Sequence, residues 1–211
     1  MIIRLYQAFL DLLFPPSCRN CGADGSWLCT ACLSKCGPSV DCTAPIRNVD
    51  RLLCIGAYDT NEALKRTIQQ LKYSGGRVLS ATLGTALGRL AQDVIMADCI
   101  VPVPLHKNRE RKRGFNQARL IADSAATVLR LPVIEPIVRS KNTKPQVTLH
   151  ERERATNVAH AFTLVRGVAN VPKHGIIIDD VFTTGATISE VAGVLRSAGM
   201  ERVTALTIAK G

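Results

Sequence analysis

Aromatic residues are scarce: Phe 5, Tyr 3 and Trp 1 make up 4% of the 211 residues. That excludes a core built on ring stacking and points to aliphatic packing between a sheet and its helices. It also leaves little for a base-stacking platform, for which Phe115, Tyr73 and Trp27 are the main candidates. The four histidines, His106, His150, His160 and His174, share no ligand spacing, so none is assigned to a metal. No apolar run is long enough to cross a bilayer, which takes about 20 residues. The one near candidate, Met1 to Phe14, carries Arg4, Gln7 and Asp11 as a narrow polar stripe. It reads as a helix docked on protein, with peripheral membrane contact as the alternative. Asp11 and the lack of a small-residue cleavage site argue against a signal peptide.

Acidic residues are also few, 17 against 27 basic ones, for a net charge of +10. The excess is local. Residues 1–49 carry four basic and three acidic groups, whereas residues 106–119 carry six against Glu110 and residues 139–154 carry five against two. Two short stretches therefore hold +8 of the total, a pattern for localised anion binding rather than a generally basic surface.

Eight cysteines would suit a secreted disulfide framework, but four fall in two C-x-x-C pairs, Cys18/Cys21 and Cys29/Cys32. Each pair can present two thiolates to one ion, and two pairs complete a tetrahedral S₄ zinc site. The spacing also admits a redox dithiol, and Cys36 and Cys42 are spare candidates as ligands. Cys54 and Cys99 lie in apolar, strand-like runs and read as packing residues. A reduced compartment, the cytoplasm, is the simpler setting. The composition shift near residue 49 divides the chain into a metal-binding segment, 1–48, and an α/β domain, 49–211.

The α/β domain centres on His174-Gly175-Ile176-Ile177-Ile178-Asp179-Asp180-Val181-Phe182-Thr183-Thr184-Gly185-Ala186-Thr187. Three consecutive isoleucines predict a strand buried on both faces, ended by two carboxylates. A small-residue turn follows, with Thr187 as N-cap and Glu190 completing a capping box. Apolar Ile188, Val191, Ala192, Val194, Leu195 and Ala198 mark one helix face, and Gly199 its stop. Such a strand, turn and helix start make an anion site, because free N–H groups converge where the helix dipole is positive. The two acids would repel a phosphate unless they accept hydrogen bonds from sugar hydroxyls, so a ribose 5-phosphate ligand satisfies both halves.

This stretch resembles the PRPP (5-phosphoribosyl-1-diphosphate) signature of type I phosphoribosyltransferases. The resemblance implies an open, mostly parallel sheet flanked by helices. It gives Asp179 and Asp180 the ribose hydroxyls, and Thr183, Thr184, Gly185, Ala186 and Thr187 the 5′-phosphate.

Elsewhere the pattern predicts a strand over Arg51 to Tyr58, helices from Asn61 to Tyr73 and Val78 to Ile95, and a strand over Cys99 to Val103. Small Ala81, Gly84, Thr85 and Gly88 prepare the second of those helices for close packing. A basic loop, Lys107 to Arg113, then precedes a helix ending near Leu129, and Arg202 to Ala209 closes the sheet. Arg139 to Asn157 is a long polar stretch of the kind that forms lids.

Pro102-Val103-Pro104-Leu105-His106 with Arg113-Gly114-Phe115-Asn116-Gln117-Ala118 is similar to the ComF family, phosphoribosyltransferase-like proteins linked to bacterial DNA uptake. Thr143, Gln146, Leu149, Arg154, Asn157 and Ala161-Phe162 fit the same pattern. The resemblance implies that Lys107, Arg109 and Arg113 hold the diphosphate, that Mg²⁺ accompanies PRPP, and that Cys18, Cys21, Cys29 and Cys32 hold a structural zinc. It implies a role in handling incoming single-stranded DNA, with a competence helicase or other DNA-uptake protein as partner. Displacement of diphosphate from ribose C1 is the reaction such a fold offers. Purine-salvage relatives often place an acid where Thr183 stands, and no general base is evident. A phosphoribosyltransferase of nucleotide metabolism and a PRPP-sensing regulator are the other readings.

Overall fold

The computed structural model describes residues 17–18, 20–36, 40–42, 46–59, 61–71, 76–141, 160–168 and 170–211. The expected helix over Met1 to Phe14, Tyr73, and the family positions from Thr143 to Asn157 lie outside the described residues.

The elements run α1 (Thr30–Ser34), β1 (Val40–Cys42), β2 (Arg51–Ala57), α2 (Glu62–Gln70), α3 (Gly76–Ala91), β3 (Cys99–Pro102), α4 (Lys107–Arg113), α5 (Gln117–Leu129), β4 (Ile137–Arg139), β5 (Phe162–Leu164), β6 (His174–Phe182), α6 (Ala186–Ser197) and β7 (Arg202–Lys210). Five strands form one sheet in the order β1-β2-β7-β6-β3, parallel except for the antiparallel edge strand β1. The mixed α/β architecture with a mostly parallel sheet is therefore as expected.

The isoleucine run shows why both sheet faces are covered. Side chains alternate along a strand, so Ile176 and Ile178 join Leu64, Leu79, Leu83, Leu87 and Ile121 on one face. Ile177 joins Ile188, Val191 and Leu195 on the other. Helices α2, α3 and α5 thus cover the first face and α6 the second. Helices α3 and α5 pack closely because Gly84 and Gly88 have no side chain. A Cβ at Gly84 would lie 2.3 Å from the Ile121 carbonyl oxygen, and one at Gly88 would lie 2.8 Å from Val128 Cβ.

Several boundaries differ from the sequence reading. The β6 strand does not stop at the carboxylates. β7 runs alongside to Lys210 and pairs Val181 with Ala209 and Phe182 with Lys210. Lys107 to Arg113 is a helix, not a loop. His106 Nδ1 accepts from Asn108 N–H at 3.2 Å, and Gly114 closes the other end at φ +82°. Glu110 in its first turn and Arg111, Lys112 and Arg113 in its last suit the helix dipole. Helix α3 spans Gly76–Ala91 rather than Val78 to Ile95, and beyond it Val94 and Ile95 N–H fold back onto the Ala91 carbonyl.

β4 and β5 form a separate antiparallel pair in which Arg139 stands opposite Phe162. Ile137 and Phe162 pack in the same cluster as Ile177 and Val103. This flap frames the carboxyl ends of β3 and β6.

Candidate anion crevice and four-cysteine cluster

The acids sit where β6 emerges from the sheet core. Ile178 is fully buried, whereas Asp179 and Asp180 are half-buried. Each carboxylate accepts a backbone N–H from the next residue: Asp180 N–H donates to Asp179 Oδ1 at 2.8 Å and Val181 N–H to Asp180 Oδ1 at 2.9 Å. These bonds fix the side chains at the strand's mouth. Burial pushes the Asp179 carboxyl well above its ordinary range. The neighbouring Asp180 charge adds to the rise, and Arg139 opposes it.

After Phe182 the chain turns through Thr183 and Thr184 to Gly185, which has φ +75° and ψ 0° and is the N-cap of α6. The cap is therefore not Thr187, which lies inside the first helical turn. Glu190 does not reach back to Thr187 either; it accepts His160 N–H at 3.1 Å and anchors the flap side. Gly185 holds the turn because of its conformation and because a Cβ there would lie 2.7 Å from the Phe182 ring. Thr184 Oγ1 accepts from Ala186 N–H at 3.4 Å. Gly185→Ala meets both obstacles, so a loss of about 1–3 kcal/mol is expected, read as a lower midpoint in urea.

Helix α4 presents two faces. Arg109 and Arg113, one turn apart, are half-buried, while Lys107, Arg111 and Lys112 are exposed. Burial lowers the Arg109 and Arg113 pKa values. The charge of Arg113 adds to that at Arg109, and Asp180 opposes it at Arg113. Arg139, from the flap, is likewise lowered by burial and by Arg109, and held up by Asp179. Three guanidinium groups and two carboxylates thus form one electrostatic cluster at the strands' carboxyl ends. Of the predicted diphosphate residues, Arg109 and Arg113 join it, while Lys107 sits on the solvent face of α4. Arg139 was missed as a site residue, because three residues of strand inside a polar stretch give no periodic signal.

At the other end of the chain, Cys18, Cys21, Cys29 and Cys32 bring their sulfurs within 4.8 Å of one another. The first pair sits in a turn closed by Gly22 N–H to Cys18 C=O at 2.8 Å. The second opens α1, where Cys29 is the N-cap and accepts from Cys32 N–H at 3.4 Å. Cys29 N–H donates to Cys18 Sγ at 3.5 Å, and Cys21 and Cys29 Sγ are 3.7 Å apart. Sulfurs at about 2.3 Å from a tetrahedral ion are separated by roughly 3.8 Å, so the donor set fits one metal. Burial opposes ionisation of Cys18, but N–H groups of Cys29, Asn20 and Cys21 lower its pKa to about 6. Burial and neighbouring sulfurs push Cys32 up to about 12. Cys36 is outside the cluster: it is fully buried and donates Sγ–H to the Cys32 carbonyl at 3.4 Å. Cys54 and Cys99 are buried packing residues, as read from the sequence.

The cluster is tied to α2. Asn20 Nδ2 donates to Thr67 Oγ1 at 3.1 Å and to the Ala63 carbonyl at 3.3 Å. Cys18, Leu28, Cys32 and Cys36 share a core cluster with Leu53, Leu64 and Ile68. Among the described residues no helix is long and apolar enough to cross a membrane.

Sheet and cysteine cluster together define an α/β protein with paired acids and half-buried arginines at its strands' carboxyl ends, and four clustered cysteines that could hold a metal ion. No family model matches the chain. It is 30% identical over 196 residues to competence protein F of Haemophilus influenzae, covering 89% of this chain and 82% of that one. It is 32% identical over 196 residues to the DNA utilization protein YhgH of Escherichia coli K12, covering 88% and 80%. The match to competence protein ComFC of Bacillus subtilis is 30% over 146 residues, covering 67% and 57%. The chain belongs to this ComF family of competence and DNA-utilization proteins. Among solved structures, glutamine PRPP amidotransferase of B. subtilis overlays with a TM-score of 0.46 at 18% identity, and the overlay covers 67% of this chain and 30% of that one.

Proposed function

We propose that the chain binds PRPP with its Mg²⁺ at the carboxyl ends of β3 and β6 and acts in bacterial DNA uptake. The observation that carries this reading is the convergence at the strands' carboxyl ends of paired acids, a glycine-capped helix start and half-buried arginines. Each suits one part of a phosphoribosyl diphosphate. Asp179 and Asp180 accept hydrogen bonds from the ribose hydroxyls. The turn from Thr183 to Thr187 offers N–H groups and hydroxyls to the 5′-phosphate. Arg109 and Arg113 neutralise the diphosphate. A Mg²⁺ bound together with PRPP would supply further positive charge at the diphosphate, beside Arg109 and Arg113. The protein's part in any transfer is then to orient ribose C1 and stabilise the leaving group. Thr183 is no proton acceptor, which suits binding without turnover or a nucleophile that needs no base. A structural zinc at Cys18, Cys21, Cys29 and Cys32 holds the N-terminal segment, residues 1–48, on the α/β domain.

The names of the relatives support the DNA half of the reading, and so does the outer face of α4. Lys107, Arg111 and Lys112 are exposed, with Arg111 held to Asn108 Oδ1 at 2.6 Å, and present their charge where a phosphate backbone could follow it. Stacking contributes little, because Arg77 covers the Phe115 ring at 5.2 Å and Trp27 packs against the core. The two faces of α4 separate the two ligands. Neutralising Lys107, Arg111 and Lys112 together is expected to weaken single-stranded DNA and flatten its salt dependence by roughly 0.7 log units per lost contact. PRPP affinity is expected to stay unchanged. Neutralising Arg109 and Arg113 is expected to weaken PRPP. Titrations of both ligands across salt concentrations check this. DNA affinity and salt slope unchanged in the first variant would remove the DNA half, and a parallel assay for diphosphate release asks whether bound PRPP turns over.

A further inference from the structure

We propose that the turn over residues 46–49, on the link between the cysteine segment and the α/β domain, positions the 5′-phosphate end of the ligand site by bracing α6 from behind. The inference rests on the PRPP reading above and adds positioning residues that belong to neither sequence motif.

The start of α6 needs support from outside. Its N-cap, Gly185, is buried in a left-handed conformation and has no side chain to bond the free N–H groups of the first turn. Residues 46–50 supply that support. Val49 N–H closes their turn onto the Ile46 carbonyl at 3.0 Å. Ile46 is half-buried against the same cluster as Phe182, Ile188 and Val191. Its Cγ2 lies 3.7 Å from where a Cβ on Gly185 would stand, so this methyl backs the phosphate turn directly. One helical turn on, Ser189 Oγ donates to the Arg47 carbonyl at 2.9 Å, and Asn48 Nδ2 donates to the Ser189 carbonyl at 3.3 Å. Asn48 has φ +66°, a left-handed conformation that asparagine tolerates. Its amide reaches the helix because position 193 is glycine: a Cβ there would lie 3.0 Å from Asn48 Nδ2. At the last turn of α6, Arg196 Nε donates to the Asn48 carbonyl at 2.9 Å, and its guanidinium pairs with Asp50 Oδ2 at 2.8 Å. Asp50 Oδ2 also accepts Val203 N–H at 2.7 Å, which fixes the brace to β7.

Each of these contacts falls on α6 or β7, the elements flanking the 5′-phosphate turn, rather than on α4, which carries Arg109 and Arg113. Helix N–H groups hold an anion only where they converge, and hydrogen bonds weaken steeply with misalignment. A small shift of the first turn of α6 therefore weakens several bonds to a phosphate at once. Linkage runs both ways: whatever factor the brace contributes to phosphate affinity, bound phosphate returns as stability of the brace.

The test titrates full-length protein with ribose 5-phosphate and, separately, with inorganic pyrophosphate. Ile46→Ala with Asn48→Gly removes the methyl behind Gly185 and the amide on the helix, and glycine accepts the left-handed backbone. Ribose 5-phosphate is expected to weaken by roughly threefold to thirtyfold, the range for residues that act on a site without touching its ligand. Pyrophosphate should stay within about twofold of wild type. Ser189→Ala should show the same split on a smaller scale at a near-constant melting temperature, since alanine is the better helix former. Ser189→Thr, which keeps the hydroxyl, should restore ribose 5-phosphate affinity. In wild type, saturating ribose 5-phosphate should slow hydrogen exchange at Val49 N–H by a similar factor, and pyrophosphate should not. Equal weakening of both ligands would mark a general loosening and overturn the proposal. Unchanged ribose 5-phosphate affinity, or Val49 exchange indifferent to that ligand, would overturn it too. If the double variant fails to fold, Ser189→Ala decides by the same criteria. All these outcomes leave the PRPP reading standing, whereas wild-type protein that does not bind ribose 5-phosphate would overturn that reading and this proposal with it.

Discussion

Asp179→Asn with Asp180→Asn is expected to weaken PRPP by about 3 kcal/mol or more, roughly a hundredfold or more, while leaving the fold intact. Each substitution removes a charged acceptor and keeps an oxygen for the backbone N–H that the carboxylate holds now. Ligand affinity and stability should therefore move in opposite directions. The folded protein raises the Asp179 pKa, so ionising that group costs stability. The cost begins as pH rises past the ordinary value of 3.8, and is full above the folded-state value. Asparagine has no charge to bury. Without ligand, the double variant should melt above wild type at neutral pH, and the gain should vanish in acid, where the wild-type carboxyl is already protonated. Calorimetric titration with PRPP and thermal melts between pH 3 and 8 check both halves. A variant that binds PRPP as wild type does, with its circular dichroism unchanged, would show that the acids do not hold the ribose.

The second large effect is expected from the cysteine cluster. Purified protein should carry one zinc per chain, and Cys18→Ser with Cys29→Ser should lose it, since one ligand is removed from each C-x-x-C pair. Metal binding in small S₄ segments contributes on the order of 10 kcal/mol to folding at neutral pH, so the segment should not hold its shape without the ion. Cys18, Leu28 and Cys32 pack against Leu64 and Ile68, so the loss should reach α2 and lower the melting temperature. The parallel sheet is built from residues 51–210 and should survive. Elemental analysis, limited proteolysis and far-ultraviolet circular dichroism separate these outcomes. Zinc retained in the double variant would contradict this ligand set.

The sequence made the core legible wherever periodicity was strong. The isoleucine run, the apolar stripe of α6 and the small residues of α3 all gave their elements, because burial on both sheet faces leaves a pattern in the chain. The paired cysteines announced their cluster through spacing alone. Helix α4 left no such trace. None of its residues is buried, and it is held by a histidine cap, a left-handed glycine and a favourable order of charges. The start of α6 was misplaced by two residues, because Thr187 and Glu190 fit a capping box in sequence. In the fold, Gly185 takes the cap, and Glu190 serves His160, 30 residues earlier in the turn before β5. Arg139 was hidden for a related reason. Its place beside Asp179 depends on pairing with Phe162, 23 positions later, and nothing local encodes that contact.

Whether a phosphoribosyl diphosphate occupies the carboxyl ends of β3 and β6 is decided by equilibrium titration of wild-type protein with PRPP in Mg²⁺. One saturable site per chain is expected, with ribose 5-phosphate and pyrophosphate each competing for it, since each fills one part of the site. Absence of saturable binding in folded, zinc-loaded protein, or binding that neither fragment displaces, would contradict it.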